Sequence, residues 1–93
     1  MIHVLIERHL HEGQLATYLD QAKRALQHTY AVPGFISGEA FYDLNDENHR
    51  LLLCKWKSLE SWQRWLQSAE RLEILSAVHA ILTQPEKITL LDN

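Results

Sequence analysis

The sequence has few residues that could cross-link it and none of the patterns that divide a chain into domains. Its 93 residues include one cysteine, two prolines and three glycines. A single cysteine cannot form an intramolecular disulfide, so a reducing, cytoplasmic location is predicted. Repeats, low-complexity tracts and linkers are also missing. We therefore expect one domain spanning residues 1–93.

Long apolar runs and clusters of basic residues are missing as well. The longest uninterrupted apolar run is Leu51–Cys54, far short of the roughly 20 residues that a bilayer-spanning helix needs. Glu7 and Arg8 interrupt the only candidate for a signal-peptide core, so no signal peptide is predicted. The net charge of −3, without a basic cluster, argues against binding to nucleic acid. We expect neither a membrane nor a nucleic-acid partner.

What the sequence does contain is centred on Leu51–Leu66, where the hydrophobic period changes. Up to Lys57 the stretch is typical of a strand buried on both faces. Ser58 is a candidate helix N-cap. Beyond it, apolar residues recur at helical spacing: Leu59, Trp62, Trp65 and Leu66.

Similar patterns predict the other elements. Strands are expected at Ile2–His9, Phe35–Tyr42, His49–Lys57 and Lys87–Leu91, with polar turn residues at Asp43–Asn48. A first helix has the apolar stripe Leu15, Tyr18, Leu19, Ala22, Leu26 and Tyr30. The helix after Ser58 should break near Ser68–Glu70, and its stripe resumes at Leu72, Leu75, Val78, His79 and Leu82. Phe35–Tyr42 is predicted to be an edge strand in which Gly38 marks a bulge or a close approach.

This order predicts an α+β, ferredoxin-like βαββαβ fold with a four-stranded antiparallel sheet. Right-handed crossovers place the first and third strands in the middle. Helices can cover only one face of that sheet. The other face would carry Leu5 or its neighbours, plus either Leu51 and Leu53 or the alternating set Leu52, Cys54 and Trp56. A patch of that size is uncommon on a monomer, and a chain this short buries only about 60–65% of its unfolded surface, so we predict a homodimer through the sheet faces.

Three short segments are informative about the family: Pro33-Gly34-Phe35, Trp56-Lys57-Ser58 and Trp65-Leu66-x-Ser68. Together they resemble the antibiotic biosynthesis monooxygenase (ABM) superfamily. The resemblance covers essentially the whole chain and implies a dimeric α+β barrel. The superfamily includes cofactor-independent monooxygenases of aromatic polyketides, haem-degrading enzymes and small-metabolite isomerases, so function must rest on the site.

The haem-degrading pattern matches this chain only in part. Trp65 stands where those members have a tryptophan, but the position ten residues beyond it is Leu75, and the nearest histidine is His79. The first strand has no asparagine; Ile6 or Glu7 occupies that place. The His-x-x-x-x-His pattern of some quinol-directed or isomerase members is also missing.

Four side chains are candidates for a pocket between sheet and helices. Trp62 and Trp65 share one helix face, where they either fill the core or stack against an aromatic substrate. Tyr18 either packs in the core or presents its hydroxyl to the same pocket. His79 is either a neutral core histidine or a general base. We predict catalytic roles for Trp65 and His79 and substrate-binding roles for Trp62 and Tyr18.

Other polar candidates have simpler explanations. Glu7 and His9 form an acid–base pair or ordinary surface contacts. His9 and His11 lack a third clustered ligand, so no metal is predicted. Cys54 should be an inert buried thiol.

The leading hypothesis is a monooxygenase that needs no cofactor and acts on a small aromatic or quinone-like molecule. One alternative is a non-catalytic ligand-binding or regulatory dimer of the same fold. A second is a haem-binding variant, which a Soret band on adding haemin would reveal.

Overall fold

The computed structural model describes all 93 residues and has the predicted order of elements. The strands are β1 (Ile2–His9), β2 (Phe35–Asp43), β3 (Asp46–Trp56) and β4 (Lys87–Leu91). The helices are α1 (Leu15–Thr29), α2 (Leu59–Leu66), α3 (Ala69–Ile74) and α4 (Ser76–His79). One antiparallel sheet has the order β2-β3-β1-β4, which confirms the ferredoxin-like prediction and the central positions of β1 and β3.

The β2–β3 turn is shorter than the sequence predicted. Asp43 pairs with Asp46, so only Leu44 and Asn45 connect the strands. The Asp43 carboxylate accepts a hydrogen bond from the Asn45 backbone N–H at 2.8 Å, which closes the turn locally. The predicted turn over Asp43–Asn48 was therefore wrong at both ends, because Asp43 still belongs to β2 and Asp46 already belongs to β3.

Alternate residues of β1 and β3 form the core against the helices. Val4 pairs with Cys54, and Trp56 pairs with Ile2. The core cluster consists of Val4, Ile6, Cys54, Trp56, Trp62 and Trp65. The rings of Trp56 and Trp62 meet edge to face at 5.7 Å between centroids. This packing fixes α2 on the inner face of the sheet.

A second core cluster joins α1 to α4, and here three predicted core positions were wrong. It contains Leu10, Tyr18, Ala25, Leu75 and Val78. Leu19, Tyr30 and Leu72 are exposed instead. Leu19 borders an open cavity, and Tyr30 packs edge-on against Phe35. Leu72 is on the outer side of α3, because Arg71 and Leu75 occupy the buried side of this segment.

Serine caps define the two helices that follow β3. Ser58 Oγ accepts from the backbone N–H of Ser61 at 3.2 Å, which confirms the predicted N-cap of α2. The predicted break is also present, since α2 ends at Leu66 and Ser68 caps α3. The Ser68 hydroxyl oxygen accepts a hydrogen bond from the Arg71 backbone N–H at 3.0 Å, so the cap fixes the position of Arg71 in the first turn of α3.

Gly38 lies where β2 passes close to α1. A Cβ added there would stand 2.8 Å from the Leu26 Cδ1 atom, so the predicted close approach is confirmed. The strand pairing is irregular elsewhere, between Phe35 and Ser37 and between Tyr42 and Asp43.

The outer face of the sheet carries Leu5, Leu51 and Leu53. Leu5 pairs with Leu53, and Leu51 pairs with Glu7. The structure thereby decides between the two sets that the sequence left open, because Cys54 and Trp56 belong to the inner core. None of the three leucines belongs to a core cluster. No helix combines the length and apolar character required to cross a membrane.

Candidate functional site

A cavity of about 400 Å³ lies between α1 and the sheet. Its volume falls within the roughly 300–1,000 Å³ that is usual for small-molecule sites. The lining residues are Arg8, Tyr18, Leu19, Ala22, Lys23, Leu26, Ala40, Phe41, Arg50, Leu51 and Leu52. The wall is therefore mainly apolar, with a few polar groups.

A smaller cavity of about 30 Å³ continues this one toward the tryptophans. The two share Arg8, Ala22, Leu26 and Leu52 as lining residues. Trp56, Trp62, Trp65 and Arg71 line only the smaller one. Two buried N–H groups of this lining, Trp56 Nε1 and Arg71 Nε, have no protein partner. The space suffices for about one water molecule, which such donors would bind.

Arg8 and Tyr18 form a buried donor pair on the cavity wall. Arg8 Nη1 donates to the Tyr18 hydroxyl oxygen at 3.1 Å, and the two residues are only 4% and 6% exposed. The hydroxyl donates to no protein acceptor, so its proton is available to a ligand. A cation that polarises a hydrogen-bond donor strengthens the next bond in the chain.

Arg8 is held by a buried ion cluster behind the cavity. Glu86 accepts from Arg8 Nε at 2.8 Å, from Arg71 Nη2 at 3.1 Å, and lies 3.1 Å from His79 Nε2. Burial alone would raise the pKa of Glu86, but the guanidinium groups of Arg8 and Arg71 more than offset this and lower it. Two guanidinium groups thus share one carboxylate, and one positive charge remains uncompensated within the cluster.

The structure brings together only some of the four predicted site residues. Tyr18 lines the larger cavity, while Trp62 and Trp65 line the smaller one and belong to the core. His79 lines neither. It borders a separate groove formed with residues 82–86 and Ile88, and its ring reaches Arg8 of the cavity wall through Glu86. The chain therefore does not form a single pocket that contains both tryptophans and His79.

Sequence reasoning missed Arg8, Arg71 and Glu86. A signal for Arg8 was present, since it continues the two-residue period of Ile2, Val4 and Ile6 on the inner face of β1. A charged residue in a buried register position is rarely found without a partner. The partners come from α3 and the segment before β4, and no local pattern connects those positions to Arg8.

Glu7 and His9 lie on the outer face of the sheet. His9 stacks on His49 at 4.3 Å between ring centroids, and Glu7 bonds to His49 Nε2 at 3.1 Å rather than to His9. The hydrogen bond to Asp43 raises the pKa of His49 despite some burial, and Glu7 adds to this effect. The chain contains no group of three side chains arranged to hold a metal ion.

Cys54 lies in the core at 4% exposure. Burial raises the pKa of its thiol to about 11. The thiol is therefore protonated at neutral pH and is not a nucleophile, as predicted.

Known proteins are similar to this chain in sequence. It aligns at 28% identity over 72 residues, 77% of its length, with the 42.8 kDa protein in the whiE locus of Streptomyces coelicolor. Protein SchA of Streptomyces halstedii is 28% identical over 74 residues, 80% of this chain. The chain spans only about a fifth of these relatives, 18% and 20% of their lengths.

Solved structures superpose over almost the entire chain. An antibiotic biosynthesis monooxygenase has a TM-score of 0.88 at 15% identity and covers 100% of this chain and 98% of its own. SnoaB, a cofactor-independent oxygenase from Streptomyces nogalater, has a TM-score of 0.84 at 17% identity, covering 99% of this chain and 92% of its own. The family model described as antibiotic biosynthesis monooxygenase matches residues 1–77. The chain therefore belongs to the antibiotic biosynthesis monooxygenase family.

Proposed function

We propose that the protein is a cofactor-independent monooxygenase that oxidises a small, enolisable aromatic molecule in the cavity between α1 and the sheet. The observation that carries the proposal is the buried Arg8–Tyr18 pair, in which a guanidinium polarises a hydroxyl at the wall of a mainly apolar cavity. The family membership and the likeness to a cofactor-independent oxygenase support it.

The cavity suits chemistry in which the substrate supplies the electrons. When an aromatic ketone loses a proton from its activated carbon, negative charge develops on its oxygen. Tyr18 would donate to that oxygen, and Arg8 would stabilise the charge from behind, in surroundings that exclude water. The resulting carbanion can pass an electron to dioxygen, and recombination gives a peroxide. Loss of water then leaves a new carbonyl group.

Each predicted site residue has a distinct place in this proposal. Tyr18 binds the reacting oxygen, and Trp62 forms part of the wall of the small inner cavity. Trp65 borders the same inner space, where a direct catalytic role for it stays a prediction. His79 would act through Glu86, by positioning Arg8, because it does not line the cavity.

The active form in this proposal is a homodimer. Leu5, Leu51 and Leu53 lie on the sheet face opposite the core, and a second copy would cover them. The free thiol of Cys54 fits a reducing cytoplasm, which also stays a prediction.

One observation favours a second candidate, a ligand-binding module without catalysis. The cavity lining contains no carboxylate and no histidine to remove the substrate proton. In the monooxygenase proposal the proton must leave to solvent through the cavity mouth. A binding module needs no such route.

Dioxygen uptake with anthrone as the probe tests the proposal. One anthrone and one dioxygen should give one anthraquinone and one water, with protein treated with chelator and free of flavin. Tyr18→Phe removes the donor and should lower kcat roughly 100-fold, as loss of one oxyanion-hole donor does. Tyr30→Phe is the matched control, because Tyr30 is exposed and outside the cavity.

Two outcomes would contradict the monooxygenase proposal. One is uptake no faster than in protein-free buffer. The other is Tyr18→Phe turnover equal to that of Tyr30→Phe.

A further inference from the structure

Every charged side chain in the lining of the larger cavity is cationic. Arg8 lies deep in the wall, and Lys23 and Arg50 stand nearer solvent. No aspartate or glutamate lines the cavity. The whole chain has 12 acidic and 9 basic residues and a net charge of −3. One third of its lysines and arginines thus line one cavity, which is positively charged although the chain as a whole is negatively charged.

The two outer cations are not neutralised by the protein. Neither Lys23 nor Arg50 has a carboxylate within 4.0 Å, whereas the exposed Arg24 pairs with Asp20 at 3.2 Å. Both therefore remain available to an anion from outside.

Arg50 is also held in place. Its Nη1 donates to the Glu47 carbonyl oxygen at 3.0 Å, and its Cζ lies 4.7 Å from the Tyr42 ring centroid. A guanidinium has five N–H donors, so this anchoring leaves others free. An anchored guanidinium loses less conformational entropy on binding a carboxylate than a free one.

The rest of the wall is apolar. Leu19, Leu26 and Leu52 come from α1 and β3 on facing sides. Leu19 is 48% exposed although it belongs to an amphipathic helix. Burial of the flat apolar surface of an aromatic ligand against such a wall favours binding.

We propose that this cavity takes an aromatic carboxylate, with the ring system against the leucines and the carboxylate at Lys23 and Arg50. The inference deepens the proposed function, because it names the substrate class of the same site. The reacting oxygen would face Tyr18 while the carboxylate holds the opposite end of the molecule. Recognition at both ends orients the substrate and leaves the Tyr18 hydroxyl free to donate to the reacting oxygen.

Calorimetric titration with 2-naphthoate and its neutral isostere 2-naphthamide tests the inference on the full chain. The acid should bind at least about ten-fold more tightly at low ionic strength, and added salt should reduce the difference. Lys23→Gln and Arg50→Gln should each weaken 2-naphthoate binding about three-fold, and together about ten-fold. Lys57→Gln is the matched control, since Lys57 is exposed and outside the cavity.

Binding of 2-naphthamide reports whether each variant still forms the cavity, and it should not change. Equal affinity for the two probes would overturn the inference, whatever the oxygen assay shows. Loss of 2-naphthoate binding in Tyr18→Phe, without any effect of Lys23→Gln and Arg50→Gln, would also overturn it. A preference for 2-naphthoate, with no dioxygen uptake on either anthrone or an anthrone carboxylate, would instead defeat the monooxygenase proposal and leave this inference intact.

Discussion

At the scale of single residues, the site depends on one arginine in an otherwise apolar row of side chains on the inner face of β1. Arg8 is 4% exposed and spans the distance between Glu86 and Tyr18. Burial disfavours its charged form, yet Tyr18 and Glu86 more than compensate, so its pKa is raised and the guanidinium keeps its charge. The stability of the core and the polarity of the cavity therefore depend on the same contacts.

Glu86→Gln should destabilise the protein by about 3–5 kcal/mol at neutral pH, because it leaves two buried guanidinium groups without an anion. The unfolding free energy from urea denaturation measures this.

The folded state lowers the pKa of Glu86, so ionised Glu86 stabilises the fold at pH values above the pKa that this group has in the unfolded chain. This contribution disappears as the pH falls through the pKa that Glu86 has in the folded state. The difference between wild type and Glu86→Gln should therefore shrink in acid.

Glu73→Gln provides the control for this prediction. Glu73 is exposed on α3, and its carboxylate belongs to none of the ion pairs of the chain. Its replacement should change the unfolding free energy by less than about 0.5 kcal/mol. A similar small change in Glu86→Gln would show that the cluster does not stabilise the fold.

At the scale of elements, sequence reasoning succeeded where the cause is local. The period change after Trp56 and the capping hydroxyl of Ser58 lie within a few residues of each other, and both were predicted correctly. Gly38 was identified because a missing side chain signals a close approach.

Elements set by distant contacts were predicted less well. The break at Leu75 follows from burial of Leu75 and Val78 against Leu10 and Tyr18, which the helix's own spacing does not reveal. The Arg8–Glu86–Arg71 cluster joins residues 78 and 15 positions apart. One sequence contains no signal for such pairings, so the centre of the candidate site was missed while its fold was found.

At the scale of the whole molecule, the two faces of the sheet differ, and we propose a separate use for each. Its inner face carries the core and the cavity, and its outer face presents Leu5, Leu51 and Leu53 beside the His9–His49 stack. Alternation along β1 and β3 separates these uses, because each successive side chain points to the opposite face. The proposed ligand site and the proposed dimer face therefore lie on opposite faces of the same strands, and Leu51 borders both.

Leu53→Arg should convert the proposed dimer to a monomer, since it places an unpaired charge in the middle of the outer face. Light scattering during size-exclusion chromatography measures the mass. Leu72→Arg is the control, because Leu72 is 66% exposed on the helical side and should leave the mass unchanged. A wild-type protein that is monomeric in dilute solution would contradict the dimer.

In our proposal, the cavity between α1 and the sheet is where this protein binds its ligand. A crystal structure of the protein with 2-naphthoate would show which site the probe occupies. The ring system should lie between Leu26 and Leu52, with the carboxylate within hydrogen-bond distance of Lys23 or Arg50. Density for the probe in the groove beside His79 or on the outer face of the sheet, with the cavity free of it, would contradict the account.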